Sequence, residues 1–461
     1  MRSRNSRKLT ARHFLRYLLL STATSVAFRA QEPRASTPEP EVPLLTLEEA
    51  VSLAISGNRT VKNSGLEVQQ SEDRVDIARS QRLPRFQVDV LAGSLLNPFD
   101  FTFPAGSFGS YPGIGPVPAT DAAITTPAQF TAFTTAAFDQ PLSQQYKIHL
   151  AMRATELGRE IAHEDLRFER QKVAAEVRSS YSGLVATQAE VAAAREAVTT
   201  LVEVQRVTAE HEAQQAVLRA DALEVGARLA KSRYDLSVAE HRLETQQEIL
   251  NDLLGRDIST RFRVEPIPEQ DADGLTLESA RERALESRPE LRQAELKEQQ
   301  AEYERRLAKA EYIPDVSFSV RYLRFDNFEV LPGEVTTAGL YLTWEPFDWG
   351  RRAHRVAEKR AAVEQAHNGA QQAHSQVAID VGAKYRGWSE AALLVHAART
   401  GAEAAREQLR VVADKYTNEA ALLKDLLQAQ SRSSEAEFQY QQALSTYWGA
   451  MADLRRAMGE E

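Results

Sequence analysis

Leu45-Thr46-Leu47-Glu48 and Leu275-Thr276-Leu277-Glu278 are the same four residues set 230 positions apart, and that repetition decides how the rest of the chain is read. The same offset carries Ala50 to Ala280, Ala54 to Ala284 and Pro84 to Pro314. Pro141 then matches Pro346 at 205, and Val173, Val177, Tyr181 and Gly183 match Val377, Val381, Tyr385 and Gly387 at 204. Asp221 with Asp425, and Gly255 with Gly459, keep the offset of 204. Self-similarity over this many ordered positions marks two copies of one unit, residues 45–255 and 275–461, joined by a linker at 256–274. The first copy holds about 25 extra residues between Pro84 and Pro141.

Each unit reads as a helix, a pair of strands and a helical hairpin. Thr46 with Glu49 three residues on has the form of a capping box, and Thr276 is its counterpart. Val316, Phe318, Val320 and Tyr322 alternate with Ser317, Ser319 and Arg321, the pattern of a strand with one apolar and one polar face. Strands are expected near 86–95 and 128–138 in the first copy and near 316–328 and 336–344 in the second. Between the first two, Asn97 to Pro127 holds six prolines and no Lys or Arg, so a long aromatic-bearing loop is expected there, with neither helix nor central strand. Helical hairpins are expected over 144–254 and 350–459, because no proline interrupts either segment. Tyr440, Leu444, Tyr447, Met451, Leu454 and Met458 step by four and three, as do Leu150, Ala154, Leu157 and Ile161, the spacing of a coiled-coil seam. The polar runs His211 to Gln215 and Thr417 to Glu419 are where each hairpin should fold back.

The chain has 461 residues, no cysteine and a net charge of −9. Without cysteine there is no disulfide scaffold, no thiolate metal site and no lipid-modified N-terminal cysteine. The acidic balance argues against a general nucleic-acid binder. Residues 1–27 have the form of a signal peptide: six basic residues, the short apolar stretch Tyr17 to Val26, and small residues at Ser25 and Ala27. Its removal leaves 50 basic against 65 acidic residues, a net charge of −15. Residues 28–44 form a proline-rich linker.

Four strands with an apolar face cannot sit in a bilayer with open edges, nor can four close a barrel, since the smallest closed ones have about eight. Such a chain needs copies of itself, most simply as a symmetric homo-oligomer. Several features then carry a resemblance. They are the doubled Leu-Thr-Leu-Glu openings, Leu83-Pro84 and Ile313-Pro314, and the joints Gln140-Pro141-Leu142 and Trp344 to Arg352. The stretch Tyr416 to Gln430 completes the set. In this order, over the whole mature chain, the sequence resembles the outer-membrane efflux protein (TolC-like) family. The resemblance implies a mainly α protein with a membrane β-barrel: a trimer whose 12-stranded barrel lies in the outer membrane and continues into the periplasm as an α-helical coiled-coil barrel. It also implies a passive duct that docks a periplasmic adaptor protein and an inner-membrane pump of the RND, ABC or MFS class.

The resemblance further implies an acidic ring at the closed periplasmic entrance, with Asp221 and Asp425 as candidates and Glu224 and Gln428 one turn on. Such a ring favours cations. A solvated acid near a helix terminus is the plainer alternative. At the hairpin tips, which would meet the adaptor, glycine is common in the family. Here Gln215 and Glu419 stand at those positions, with Asn418 as a substitute for the turn and Arg219 nearby. Trp344 and Trp349 are expected to anchor the barrel in the interface with lipid. His354, His367 and His374 are spaced 13 and 7 apart, unsuited to a metal on one helical turn, and Asp271-Ala272-Asp273-Gly274 lacks the later acids of a calcium loop. No nucleophile motif, phosphate loop or catalytic carboxylate pair stands out, so neither an enzyme nor a cofactor is expected. The main rival is a secreted periplasmic coiled-coil protein without a barrel; a periplasmic adaptor would show one hairpin rather than two. Drug efflux, metal efflux and protein secretion all stay open.

Overall fold

The computed structural model describes residues 43–460, except 216–217, 268–273, 328–331 and 419. The signal segment, residues 28–42 of the N-terminal linker, Asp271 to Asp273 and Glu419 lie outside the described residues. The first half begins with β1 (Leu44–Leu45), α1 (Leu47–Gly57) and α2 (Arg59–Ser80). It continues through β2 (Arg85–Ser94), β3 (Phe99–Phe103), β4 (Ser110–Tyr111), β5 (Gly115–Pro116), β6 (Ala122–Thr126) and β7 (Phe130–Pro141). The helices α3 (Gln144–Ala213) and α4 (Arg219–Leu253) and the short β8 (Arg263–Val264) complete it. The second half holds α5 (Leu277–Ser287), α6 (Pro289–Ala310), β9 (Asp315–Asp326), β10 (Glu334–Thr343), α7 (Arg351–Thr417) and α8 (Leu423–Ala457).

Thr46 Oγ1 accepts from the Glu49 N–H at 3.2 Å while Glu49 Oε2 accepts from the Thr46 N–H at 3.1 Å, so the capping box starts α1. The opening segment of each half is two helices, not the single one expected. Asn58 divides the first pair and caps α2 by accepting from the N–H groups of Thr60 and Val61. Arg288 divides the second pair, with Pro289 at the first position of α6, where its missing N–H costs nothing.

The principal sheet is antiparallel throughout, in the order β10-β9-β7-β2. Its register aligns Phe86, Phe138, Val320 and Ala338 across four strands, and Val88, Ala136, Tyr322 and Thr336 beside them. Because side chains alternate along a strand, these rows and Val90, Phe318, Val316, Leu340 and Leu342 share one face. The opposite face carries Gln87, Asp89, Asp139, Ser317, Ser319, Arg321 and Tyr341. Arg321 lies over the Tyr341 ring at 5.9 Å. The outer strands β2 and β10 are solvent-exposed almost throughout, and each leaves one edge without a ladder partner among the described residues.

The stretch expected to be an irregular loop has strands of its own. β3 pairs with β6 and β4 with β5, extending the β2–β7 hairpin past the end of the sheet. The prolines fall outside β3 and β6 or at the short β5 edge, which is why the stretch still pairs.

The helices other than α1 and α5 form a single layer. α3, with 70 residues, is about 105 Å long at ~1.5 Å per residue. Its hairpin partner α4 has only 35 residues, so the two arms are unequal, and α2 covers the remaining length of α3 on the side toward the sheet. α8 and α6 divide the 67-residue α7 in the same way. Near the sheet the packing order is α2-α3-α6-α7; away from it the order is α4-α3-α8-α7. A layer one helix thick has two wet faces. Tyr440, Leu444 and Tyr447 of the seam are accordingly half-buried, while Met451 is buried and Leu454 and Met458 are buried where α5 adds a second layer.

Those second layers give the molecule its cores. In the first half Tyr181, Leu184, Leu250 and Phe262 are buried with Ala50 and Ala54 of α1, and in the second Val377, Val381 and Leu454 pack with Ala280 and Ala284 of α5. Fully burying an aliphatic or aromatic side chain of this size contributes about 1.5–3 kcal/mol. Positions related by the sequence offsets make the same contacts: the Tyr181 hydroxyl donates to the Leu45 carbonyl at 2.8 Å, and the Tyr385 hydroxyl to the Leu275 carbonyl at 3.2 Å. Asn58 donates to the Leu253 carbonyl at 2.8 Å; at the matching place Arg288 reaches the Ala457 carbonyl at 3.3 Å.

Candidate functional site

At the end of the helical layer farthest from the sheet, α3 turns into α4 and α7 into α8. Leu218 and Leu422 are the cap residues of α4 and α8, and their side chains have no oxygen to offer the helix. The acids three residues on act in their place: Asp221 Oδ2 accepts from the Leu218 N–H and Asp425 Oδ2 from the Leu422 N–H, both at 3.4 Å. Each aspartate is thus fixed at a helix start by one oxygen, with no partner for the other among the described residues. Asp221 is half-buried and Asp425 exposed.

The structure brings the two turns together. Tyr416, at the end of α7, has its hydroxyl pKa pushed above the ordinary tyrosine value by burial and then by the charge of Asp221. Arg228 of α4 pairs with Glu224 at 2.9 Å and donates to the Leu427 carbonyl of α8 at 3.2 Å, over an apolar contact of Val225, Leu229 and Leu427 with Leu201 of α3. Glu224 is therefore half of an ion pair, and Gln428 is exposed on α8. Tyr416 and Arg228 were not singled out from the sequence as site residues; the i, i+4 spacing of Glu224 and Arg228 on a helix is the signal that marks that pair.

The turns are built differently from each other. Gln215 itself adopts the left-handed conformation, φ +58°, that glycine favours. Asn418, expected to substitute in that conformation, does not: its φ is −94°, and its side chain instead donates to the Asp414 carbonyl at 2.8 Å. The short polar amide closes the helix end by a hydrogen bond, so the backbone there need not turn left-handed. Ala420 N–H reaches back to the Lys415 carbonyl at 2.8 Å and completes the stop. Arg219 is exposed at the start of α4.

At the other end, the apolar face of the sheet is open: Phe86, Val88, Val90, Leu340 and Leu342 are all exposed. A contiguous apolar face of this kind marks a membrane or a partner. Trp344 continues the alternation of β10 at its end and is exposed; Trp349 is 88% exposed with its ring edge-on to Phe347 at 4.7 Å. Trp349 also has φ +56°, and Gly350 follows at φ +85°. That tight turn is held by Asp348, which accepts from the Gly350 N–H at 3.1 Å, the Arg352 N–H at 3.0 Å and Arg352 Nε at 2.5 Å. Arg352 lies under the Tyr312 ring and donates to the Glu345 carbonyl, binding the end of β10 and the end of α6 to the start of α7. Among the described residues no group of His, Asp and Glu is placed to hold a metal ion; His367 instead lies 3.1 Å from Glu298.

Residues 280–460 match the family model described as outer membrane efflux protein. No curated protein matches the chain. Among solved structures the fold is that of outer-membrane channels. The channel OprN aligns with TM-score 0.72 at 18% identity over 90% of each chain. The Campylobacter jejuni channel CmeC aligns with TM-score 0.73 at 17% identity, over 90% of this chain and 85% of that one. The open state of the Neisseria gonorrhoeae channel MtrE aligns with TM-score 0.67 at 18% identity, over 90% and 89%.

Proposed function

We propose, from the match of residues 280–460 to the outer membrane efflux protein family, that three copies form a duct through the outer membrane and across the periplasm, the exit channel of a tripartite efflux or secretion system. One observation carries the reading: a four-stranded sheet with an exposed apolar face and two open edges stands on a helical layer one helix thick. In hydrocarbon each unpaired backbone group costs several kcal/mol, so β2 of one copy must pair with β10 of the next. Three copies supply twelve strands, and their helical layers continue the same wall as a tube. The apolar face then meets lipid, with Trp344 and Trp349 in the interface, and the face bearing Asp89 and Arg321 lines the lumen.

The turns of α3–α4 and α7–α8 lie at the periplasmic end, where Gln215, Arg219, Asn418 and Glu419 meet an adaptor protein, which in turn holds an inner-membrane pump. Threefold symmetry places six carboxylates, from Asp221 and Asp425, around one entrance. Because a low-dielectric wall focuses the field of a like-charged ring, that entrance favours cations. The duct is passive, and cargo is chosen by the pump. The test is fractionation of cells after signal-peptide removal. Recovery in the outer membrane, with release by detergent as a trimer, is expected. A protein soluble without detergent would instead be a periplasmic coiled-coil protein.

A further inference from the structure

The segment that lengthens the first half is a built projection. Beyond the last β2–β7 pair, Ser94 with Phe130, the Leu95 N–H donates to the Gln129 carbonyl at 2.9 Å. The ladder then resumes one residue out of step, from Phe99 with Thr126 to Phe103 with Ala122. Its tip is closed by backbone bonds from the Gly106 N–H to Pro118, the Phe108 N–H to Val117 and the Val117 N–H to Gly109, at 2.9–3.0 Å. Phe103 stacks on Phe101 at 5.1 Å and on Phe108 at 5.2 Å, and the Tyr111 hydroxyl donates to the Phe108 carbonyl. Even so, Ile114 is 76% exposed, and Phe108 and Tyr111 are more than half exposed. A two-stranded ribbon with an apolar tip is marginal in water unless it packs on something.

Resting on the trimeric channel reading, we propose that the three ribbons lean over the outer mouth of the barrel and meet through Phe108, Tyr111 and Ile114, so that each tip is covered by the same tip of a second copy. Charge removes one rival, since residues 97–127 contain no Lys or Arg and only Asp100 and Asp121 as acids, leaving nothing to pair with the phosphates of an outer leaflet. Place supplies the partner: the ribbon rises from β2, the edge strand that joins the next copy, so its neighbour across the mouth is another ribbon. Reach suffices as well. Five further residue pairs extend about 17 Å at ~3.4 Å each, whereas twelve strands about 4.8 Å apart and tilted by roughly 40° enclose a radius of about 12 Å. Only residues 327–333 separate β9 from β10, too few to build a ribbon of that length.

Two measurements decide. In planar bilayers, a variant with residues 99–126 replaced by a short Gly-Ser turn is expected to conduct severalfold more than the full-length protein; equal conductance overturns the cap. Absence of any pore from the full-length protein contradicts the channel reading itself. The second needs no deletion and uses the absence of native cysteine: oxidised Ile114→Cys trimers are expected to yield disulfide-linked pairs of chains on a denaturing gel. Intact trimers that give only single chains, with the thiol reacting instead with a lipid-soluble maleimide, overturn it in favour of a tip buried in lipid.

Discussion

Tyr181 is 1% exposed, and its hydroxyl donates to the Leu45 carbonyl at 2.8 Å and accepts from the Glu265 N–H at 2.9 Å. Burial pushes its pKa up to about 12. Tyr181→Phe removes both hydroxyl bonds while the Glu265 N–H still reaches the Leu45 carbonyl at 3.3 Å, and is expected to cost about 1 kcal/mol near neutral pH, read from the unfolding midpoint in detergent. The pH dependence has a definite sign. A folded-state pKa above the unfolded value means the folded state holds its proton more tightly, so this stability is complete below pH 10 and lost as pH rises through 12. Over that window the native protein should lose about 2–3 kcal/mol that the phenylalanine variant does not. A second residue-scale prediction concerns Gly255, at φ +69°, where a Cβ would fall 2.2 Å from the Gly57 carbonyl oxygen. Gly255→Ala should therefore lower stability by about 2 kcal/mol or more. A melting point within a degree of the native protein's would show that the backbone yields at no cost. Tyr181 and Gly255 stand out in the sequence because each has a partner at the 204 offset. Tyr416 has no such sign, since Glu212 stands at the offset of 204 and the Asp221 it faces lies on another helix.

Among the elements, the long helices and alternating strands were legible because their periods, 3.6 and 2, are written in the residues themselves. Other features were not. The break at Asn58 is invisible to periodicity, since the chain resumes a helix one residue later and the capping side chain only then finds the Leu253 carbonyl 195 positions away. Six prolines made 97–127 read as irregular, although the alternating Phe99, Phe101 and Phe103 stand opposite Thr126, Ile124 and Ala122 of β6. Asn418 was read by its tolerance of a left-handed turn, whereas its amide was used for a hydrogen bond. The β10–α7 joint offers the element-scale prediction. The Arg352 guanidinium beside Asp348 holds its carboxyl below the usual carboxylate range. A depressed carboxyl pKa adds stability above the unfolded value and loses it as pH falls. Asp348→Asn should thus melt earlier than the native protein at neutral pH, with the gap closing as pH falls below the ordinary carboxylate range. A gap that persists in acid would assign the joint's strength to packing rather than charge.

For the whole molecule, the decisive fact is what one chain lacks. Among the described residues its sheet has two open edges, its helical layer has two wet faces, and its two larger cores lie where α1 and α5 add a second layer. In the trimer proposed above, symmetry would turn these deficits into a tube and the two helix-starting aspartates into a ring of six. Asp221→Ala combined with Asp425→Ala is expected to raise single-channel conductance and weaken block by divalent cations. Unchanged currents would leave both residues as helix caps and nothing more. The most direct measurement on the whole is conductance of the detergent-purified native protein in planar bilayers, taken together with its mass in the same detergent. Three chains per particle and discrete, cation-favouring conductance steps are the expected result. A single chain per particle, or a bilayer that stays electrically silent, would contradict the closed barrel and the duct with it.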